Sequence, residues 1–294
     1  MLVPGAGGKN RISFSSSTPG TPLSLPCGRC IGCRLERSRQ WAVRIVHESK
    51  LSDENSFLTL TYDEEHLPKN KSLSVEDCQR FLKRLRKKLY PQKVRFFLCG
   101  EYGEKLKRPH YHAILFGYDP RDKIPISDGT HPLFESPFLT ETWGKGSVIL
   151  GSVTFESAAY VANYATKKIT GKPAAEHYRG LRPEFLLMSR RPGIGRSWFE
   201  KFQSDVYPSD QVISRGAACR PPRYYDNLIE KTNPDILAAI KKTRQAQAQV
   251  LESFTLKGGT VVHVAPGNNA RRLAAREICA VAKHQLKRRS LENS

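Results

Sequence analysis

Two histidines one residue apart stand in the run Pro109-His110-Tyr111-His112-Ala113-Ile114-Leu115-Phe116. On an extended strand side chains alternate, so His110 and His112 share one face while Tyr111 points to the other. Two imidazoles side by side can give two nitrogens to one divalent ion. Sheet histidines also commonly just fill a half-buried surface, and on these two residues alone both readings stand. Glu101, nine residues earlier at the end of the preceding predicted strand, adds weight to the metal. If those strands pair, its carboxylate completes a two-histidine, one-carboxylate site with room for a phosphate oxygen. Glu104, later in the connecting loop, is the competing acid.

The second group is Tyr160-Val161-Ala162-Asn163-Tyr164-Ala165-Thr166-Lys167-Lys168. In a helix, residues four apart lie on one face with Cβ atoms ~5–6 Å apart, which pairs Tyr160 with Tyr164 and carries the face on to Lys168. Lys167 sits beside it. Two tyrosines at that spacing are often simply packed into a core. Here they share the helix with two lysines and with Ala158, Ala159, Ala162 and Ala165, which predicts exposed hydroxyls.

Cys27-Gly28-Arg29-Cys30-Ile31-Gly32-Cys33 brings three thiols together at C-x₂-C-x₂-C spacing. The glycines let the backbone turn about an ion, so Cys27, Cys30 and Cys33 are candidate ligands of a structural zinc. Reduced thiols in a tight turn are the alternative. Zinc needs a fourth ligand, and His47 or a distant cysteine is the available choice. No C-x₃-C-P completion follows, which argues against an iron–sulfur cluster. Cys78, Cys99, Cys219 and Cys279 read as packing residues.

Short elements must position these groups. A helix is predicted from Arg34 to about Lys50, with Trp41 and Ile45 on one side. Phe57 to Tyr62 is a strand by its aromatic and β-branched content. Ser74 opens a helix, with Asp77 in a capping-box-like position and Val75, Cys78, Leu82, Leu85 and Leu89 at helical spacing. Strands follow at Val94–Cys99, Tyr111–Phe116 and Ser147–Phe155, then a helix from Glu156 to Lys168. Residues 1–26 are rich in Gly, Pro, Ser and Thr and read as a flexible lead-in. Residues 27–175 form the core with its N-terminal cysteine loop. Residues 176–294 form a basic, partly helical C-terminal region, with helices near 233–252 and 268–290.

The chain has 294 residues and a formal net charge of +20, with 39% hydrophobic residues, too apolar for a disordered protein. Such a charge excess repels itself unless a polyanion neutralises it, so nucleic acid is the first partner to consider, ahead of a merely solubilising surface. Lys83, Arg84, Arg86, Lys87 and Lys88, with Arg271, Arg272, Arg276, Lys283, Lys287, Arg288 and Arg289, are the candidate phosphate contacts. No apolar stretch approaches the ~20 residues of a membrane span, and the N-terminus lacks a signal-peptide core, so neither a membrane nor a secreted protein is expected. The Gly-x₄-Gly-Lys-Ser/Thr phosphate loop does not occur, so no helicase motor is expected either.

The blocks Phe57-Leu58-Thr59-Leu60-Thr61-Tyr62, Gly100-Glu101-Tyr102-Gly103 and Pro109-His110-Tyr111-His112, followed by the Tyr160/Tyr164 helix, stand in an order that resembles a known family. The chain is similar, over roughly residues 27–170, to the His-hydrophobic-His (HUH) endonucleases. It resembles most the rolling-circle replication initiators of microviruses of the gokushovirus type. The resemblance implies an α+β fold, an antiparallel sheet flanked by helices with an RRM- or ferredoxin-like core. It implies Mg²⁺ or Mn²⁺ held by His110, His112 and Glu101, and a tyrosine hydroxyl of Tyr160 or Tyr164 attacking the origin phosphate. Lys167 or Lys168 would steady the phosphate or lower the phenol pKa. The implied products are a 5′-phosphotyrosine link and a 3′-OH primer, with later re-ligation of the circle. The implied partners are single-stranded and origin DNA and the host's helicase and polymerase, in the host cytoplasm. The rivals are a relaxase or transposase of the same chemistry, a water-using phosphoesterase, and a non-catalytic nucleic-acid-binding protein with a zinc knuckle.

Overall fold

The computed structural model describes residues 2–4, 10–12, 26–103, 106–130, 132–169, 171, 173–249, 252–255, 261–264, 274–275 and 277–283. In chain order the elements begin with β1 (Leu2–Pro4) and β2 (Asn10–Ile12), then α1 (Ile31–Ser49), β3 (Asn55–Thr61), α2 (Val75–Lys88), β4 (Arg95–Tyr102) and β5 (Pro109–Phe116). They continue with β6 (Ile124–Ser127), β7 (Leu133–Glu135), α3 (Pro137–Trp143), β8 (Val148–Gly151), α4 (Phe155–Lys167), α5 (Pro173–Tyr178) and β9 (Phe185–Met188). Last come α6 (Arg196–Val206), β10 (Val212–Ser214), β11 (Ala217–Cys219), α7 (Arg223–Thr232), α8 (Pro234–Gln249), β12 (Glu252–Thr255) and β13 (Val261–Val264).

Seven strands form one sheet in the order β6-β7-β8-β3-β5-β4-β9, every neighbouring pair antiparallel. Alternation along the central strands splits the core into two layers. Leu58, Leu60, Leu98, Tyr111, Ala113 and Leu115 face α2 (Phe81, Leu82, Leu85) and Trp143 at the end of α3. Phe97, Cys99, Ile114 and Phe116 face the opposite way, toward Ala42 and Ile45 of α1 and Ala158, Val161 and Ala162 of α4. The fold is thus α+β, an antiparallel sheet flanked by helices, consistent with an HUH or RRM-like core. A third cluster, including Phe199, Tyr225, Ile229, Leu237 and Ile240, gathers α6, α7 and α8 around Val43 of α1.

Local chemistry accounts for the element ends. Ser74 accepts the Asp77 N–H at the start of α2, as its spacing predicts. Thr154 and Ser157 form a reciprocal capping box, so the strand expected over 147–155 stops at Gly151 and α4 begins at Phe155. Two elements near the site were not foreseen: α3, capped by Ser136, and β9, a four-residue strand at the sheet edge. Gly100 is small because β9 is there. A Cβ at that position would come within 2.9 Å of the Phe185 ring and 3.1 Å of Tyr111.

Several sequence expectations need correction or lie elsewhere. The basic stretch of α2 packs on the sheet face opposite His110 and His112. Arg84 donates to the carbonyls of Thr142 and Trp143, Arg86 to that of Val94, and Lys88 pairs with Glu141, leaving Lys83 and Lys87 directed outward. Cys78 and Cys99 are buried as expected, but Cys219 is half-buried beside Arg39 and Cys279 is exposed. Within the lead-in 1–26, β1 pairs with β2; apart from these strands and Pro26 it lies outside the described residues. Of the helix expected near 268–290, residues 277–283 are helical, and Arg271, Arg272, Arg276, Lys287, Arg288 and Arg289 lie outside the described residues. No helix among the described residues is long and apolar enough to cross a membrane.

Candidate functional site

The β4–β5 pairing sets Glu101 opposite His110 and Cys99 opposite His112. All three chelating side chains therefore rise from the face that carries α1 and α4. Glu101 Oε1 lies 2.8 Å from His110 Nε2 and 3.2 Å from His112 Nε2. Glu101 and His112 are buried, while His110 is half-buried at the open end of the sheet.

The outer nitrogens decide which tautomer each ring adopts. His110 Nδ1 lies 3.2 Å from the Arg108 carbonyl, an acceptor only, so Nδ1 carries the proton and donates it. The His110 Nε2 lone pair is then turned toward a carboxylate, an arrangement that a cation between them relieves. His112 Nδ1 meets Thr59 Oγ1 at 3.0 Å, from the strand on its other side. Both rings are held by their outer nitrogens with Nε2 aimed at the same carboxylate, as metal-ligating histidines are. The cluster can chelate a metal ion.

The helix α4 crosses the same face. The Tyr160 ring stands edge-on to His112, with centroids 5.1 Å apart, and His112 in turn stacks on Phe57 at 5.6 Å. Tyr160 is half-buried rather than fully exposed. Tyr164 lies one turn on, about 6 Å along the axis on the same side by helical geometry; its side chain, like that of Lys167, is outside the described residues. Lys168 is exposed, but it is the C-cap with ψ 121°, so it leaves the helix and does not continue the tyrosine face. Glu104 lies outside the described residues.

The three cysteines also meet. Cys27, Cys30 and Cys33 bring their sulfurs within 4.8 Å of one another just before and within the first turn of α1, a second cluster able to chelate a metal. Backbone N–H groups of Cys30 and Arg29 donate to Cys27 Sγ and lower its thiol pKa to about 7. His47 is not their fourth ligand. It stands fourteen residues, or about 21 Å, along the helix from Cys33. There it is buried against Trp198 and bonded to Tyr225 Oη at 2.9 Å. Sequence reasoning missed Thr59 and the Arg108 carbonyl. Thr59 is visible only as one of two alternating threonines, and nothing local ties it to His112.

A sheet that presents two strand histidines and a cross-strand glutamate beneath a tyrosine-bearing helix defines the class of viral Rep proteins with an HUH-type fold. The family model for replication-associated proteins of the ORF2 type matches residues 55–169, from the start of β3 through α4. Replication-associated protein VP4 of Bdellovibrio phage phiMH2K is 36% identical over 224 residues, covering 72% of this chain and 70% of that protein. Replication-associated protein ORF2 of Spiroplasma virus 4 is 34% identical over 245 residues, covering 77% of this chain and 74% of that protein. Replication-associated protein ORF4 of Chlamydia phage 1 is 32% identical over 217 residues, covering 70% of this chain and 54% of that protein. No solved structure matches the chain. The chain belongs to this family of phage replication-associated proteins, and that kinship together with the His/Glu cluster supports metal-dependent nuclease activity.

Proposed function

We propose that the protein is a rolling-circle replication initiator of the microvirus, gokushovirus type, which nicks one strand at the origin by tyrosine transesterification. The observation that carries this reading is the common face. Tyr160 packs edge-on against His112, itself one of three side chains able to hold a metal. His110, His112 and Glu101 would hold Mg²⁺ or Mn²⁺, which when bound supplies a Lewis acid for a phosphoryl oxygen. In the step itself the phenolic oxygen of Tyr160 or Tyr164 forms a bond to phosphorus and the P–O3′ bond breaks. The phenol loses one proton and the departing 3′ oxygen gains one, so the step is proton-neutral. Phosphodiester energy is retained in the 5′-phosphotyrosine, and the reverse attack by a 3′-OH closes the circle. Two tyrosines on one helix face allow one to hold the 5′ end while the other cleaves again. Lys167 and Lys168 would sit beside the phosphate.

The +20 charge supports single-stranded and origin DNA as the ligand, with residues 27–175 as the nicking core and 176–294 as added basic surface. Without a phosphate-loop motif in its sequence, the protein would use the host's helicase and polymerase, in the host cytoplasm. The cysteine loop would hold a separate zinc ion.

A covalent-trapping assay tests the reading. Wild type, Tyr160→Phe, Tyr164→Phe and the double variant are incubated with Mn²⁺ and labelled single-stranded DNA of the replicon, then run on a denaturing gel. A metal-dependent protein–DNA adduct lost in the double variant supports the transesterase. Cleavage without an adduct replaces it with water-mediated hydrolysis. Binding with no cleavage leaves a non-catalytic DNA-binding protein.

A further inference from the structure

The cysteine loop is the motif whose place in the fold the nicking reading does not absorb. Cys27 Sγ and Cys33 Sγ are 3.9 Å apart. Zinc–thiolate bonds of ≈ 2.3 Å put the edge of a tetrahedral site at about 3.8 Å, so the sulfurs already stand at coordination spacing. Gly28 adopts φ +72°, the left-handed conformation that turns the chain between the first two cysteines, and Arg37 Nη2 donates to its carbonyl at 3.4 Å. The N–H groups of Arg29 and Cys30 point at Cys27 Sγ, at 3.4 and 3.2 Å.

Its position matters more than its affinity. α1 packs along α4 through Ala42, Ile45, Ala158, Val161 and Ala162, and the loop reaches the far end of the tyrosine helix. There, Arg29 Nη1 comes to 3.8 Å of where a Cβ on Gly171 would stand. No acidic residue occurs in 27–35 or in 157–175, whereas Arg29, Arg34, Lys167, Lys168 and Lys172 do. A divalent ion with three thiolates carries a net charge near −1, so Arg29 and Arg34 leave the loop cationic overall.

We propose that Cys27, Cys30 and Cys33 form a thiolate site for one soft divalent ion, which fixes Arg29 beside the end of the tyrosine helix as a clamp for a DNA backbone phosphate. The clamp rests on the reading that the strand lies along that helix. The metal site does not. A zinc-class ion suits three sulfurs and the hard ions Mg²⁺ and Mn²⁺ do not, so the two clusters sort two metals by ligand chemistry. The fourth position is left to solvent.

The full chain is titrated with Co²⁺, and a labelled oligothymidylate serves as the DNA probe. Wild type is expected to bind one Co²⁺ with intense thiolate charge-transfer and tetrahedral d–d bands. Those bands should persist in His110→Ala and Arg29→Gln and vanish in Cys30→Ser. Arg29→Gln should weaken oligothymidylate binding several-fold and reduce the salt slope by about 0.7, the value for one lost single-strand phosphate contact. Chelated wild type should show the same loss, restored by Zn²⁺ and not by Mg²⁺; this arm holds even if Cys30→Ser fails to fold. Absence of thiolate bands overturns the metal site. Bands with an unchanged Arg29→Gln affinity and slope overturn the clamp. Both readouts are independent of cleavage, so a failure of the adduct assay leaves them interpretable.

Discussion

Thr59 and His112 face each other across the β3–β5 ladder, with Thr59 Oγ1 3.0 Å from His112 Nδ1. The hydroxyl accepts the Nδ1 proton when Nε2 is bare, so a residue that cannot touch the metal sets the ring to present its lone pair. Removing such an outer partner typically costs 10–100-fold in metal affinity. Thr59→Val is expected to weaken Mn²⁺ binding by about that much, and Thr59→Ser to restore most of it. Titration followed by Mn²⁺ electron spin resonance checks both. An unchanged affinity in Thr59→Val would remove the threonine from the site.

Tyr111 sits between the two histidines in sequence but belongs to the other face of the sheet. Its hydroxyl accepts the Ser74 N–H and donates to Tyr62 Oη, which donates in turn to Asp77. Burial raises the pKa of both phenols, so each stays neutral and able to donate. Tyr111→Phe strips a partner from two buried groups and should cost roughly 1–3 kcal/mol of stability. Urea unfolding measures that loss, and Mn²⁺ affinity should stay at the wild-type value.

Gly146 lies where β8 approaches the end of β3, with φ +136°. A Cβ there would overlap the backbone of residues 61–63, next to the Thr61–His110 pair of the ladder. Gly146→Ala is expected to destabilise by about 2–4 kcal/mol, because a positive φ and a backbone clash act together. It should also weaken Mn²⁺ binding, by displacing the strand end that borders His110. A denaturant midpoint equal to wild type would rule this out.

The buried His47 couples stability to pH. Burial, with a smaller contribution from Lys50, lowers its pKa to about 3. The unfolded imidazole titrates near 6.5. Between those values the unfolded chain binds the extra proton, so stability is fully present above about 6.5 and falls as pH drops toward 3. The limiting slope from this one group is roughly 1.4 kcal/mol per pH unit. Urea midpoints measured from about pH 7 down to 5 should fall less steeply in His47→Gln than in wild type. Parallel slopes would show that His47 is not the group responsible.

What the sequence by itself determined is local. The period of two puts His110 and His112 on one face, and the period of 3.6 puts Tyr160 and Tyr164 on one side of a helix. The cysteine spacing gathers three thiols. Each follows from covalent geometry within a few residues, and the expected antiparallel α+β core follows from strands and helices at that scale. The tertiary structure alone decided which surfaces meet. Glu101 rather than a neighbour reaches both histidines because β4 and β5 pair in one register, set by burial of Phe97, Leu98, Ile114 and Leu115 on both faces. The same burial places α4 over the metal face and the basic α2 behind it, which no count of charges along α2 reveals. His47 shows the limit most plainly. By type it was a credible metal ligand, yet the packing of α6 and α7 around α1 enclosed it with Trp198 and Tyr225. Long-range burial, not local spacing, determined what that side chain touches.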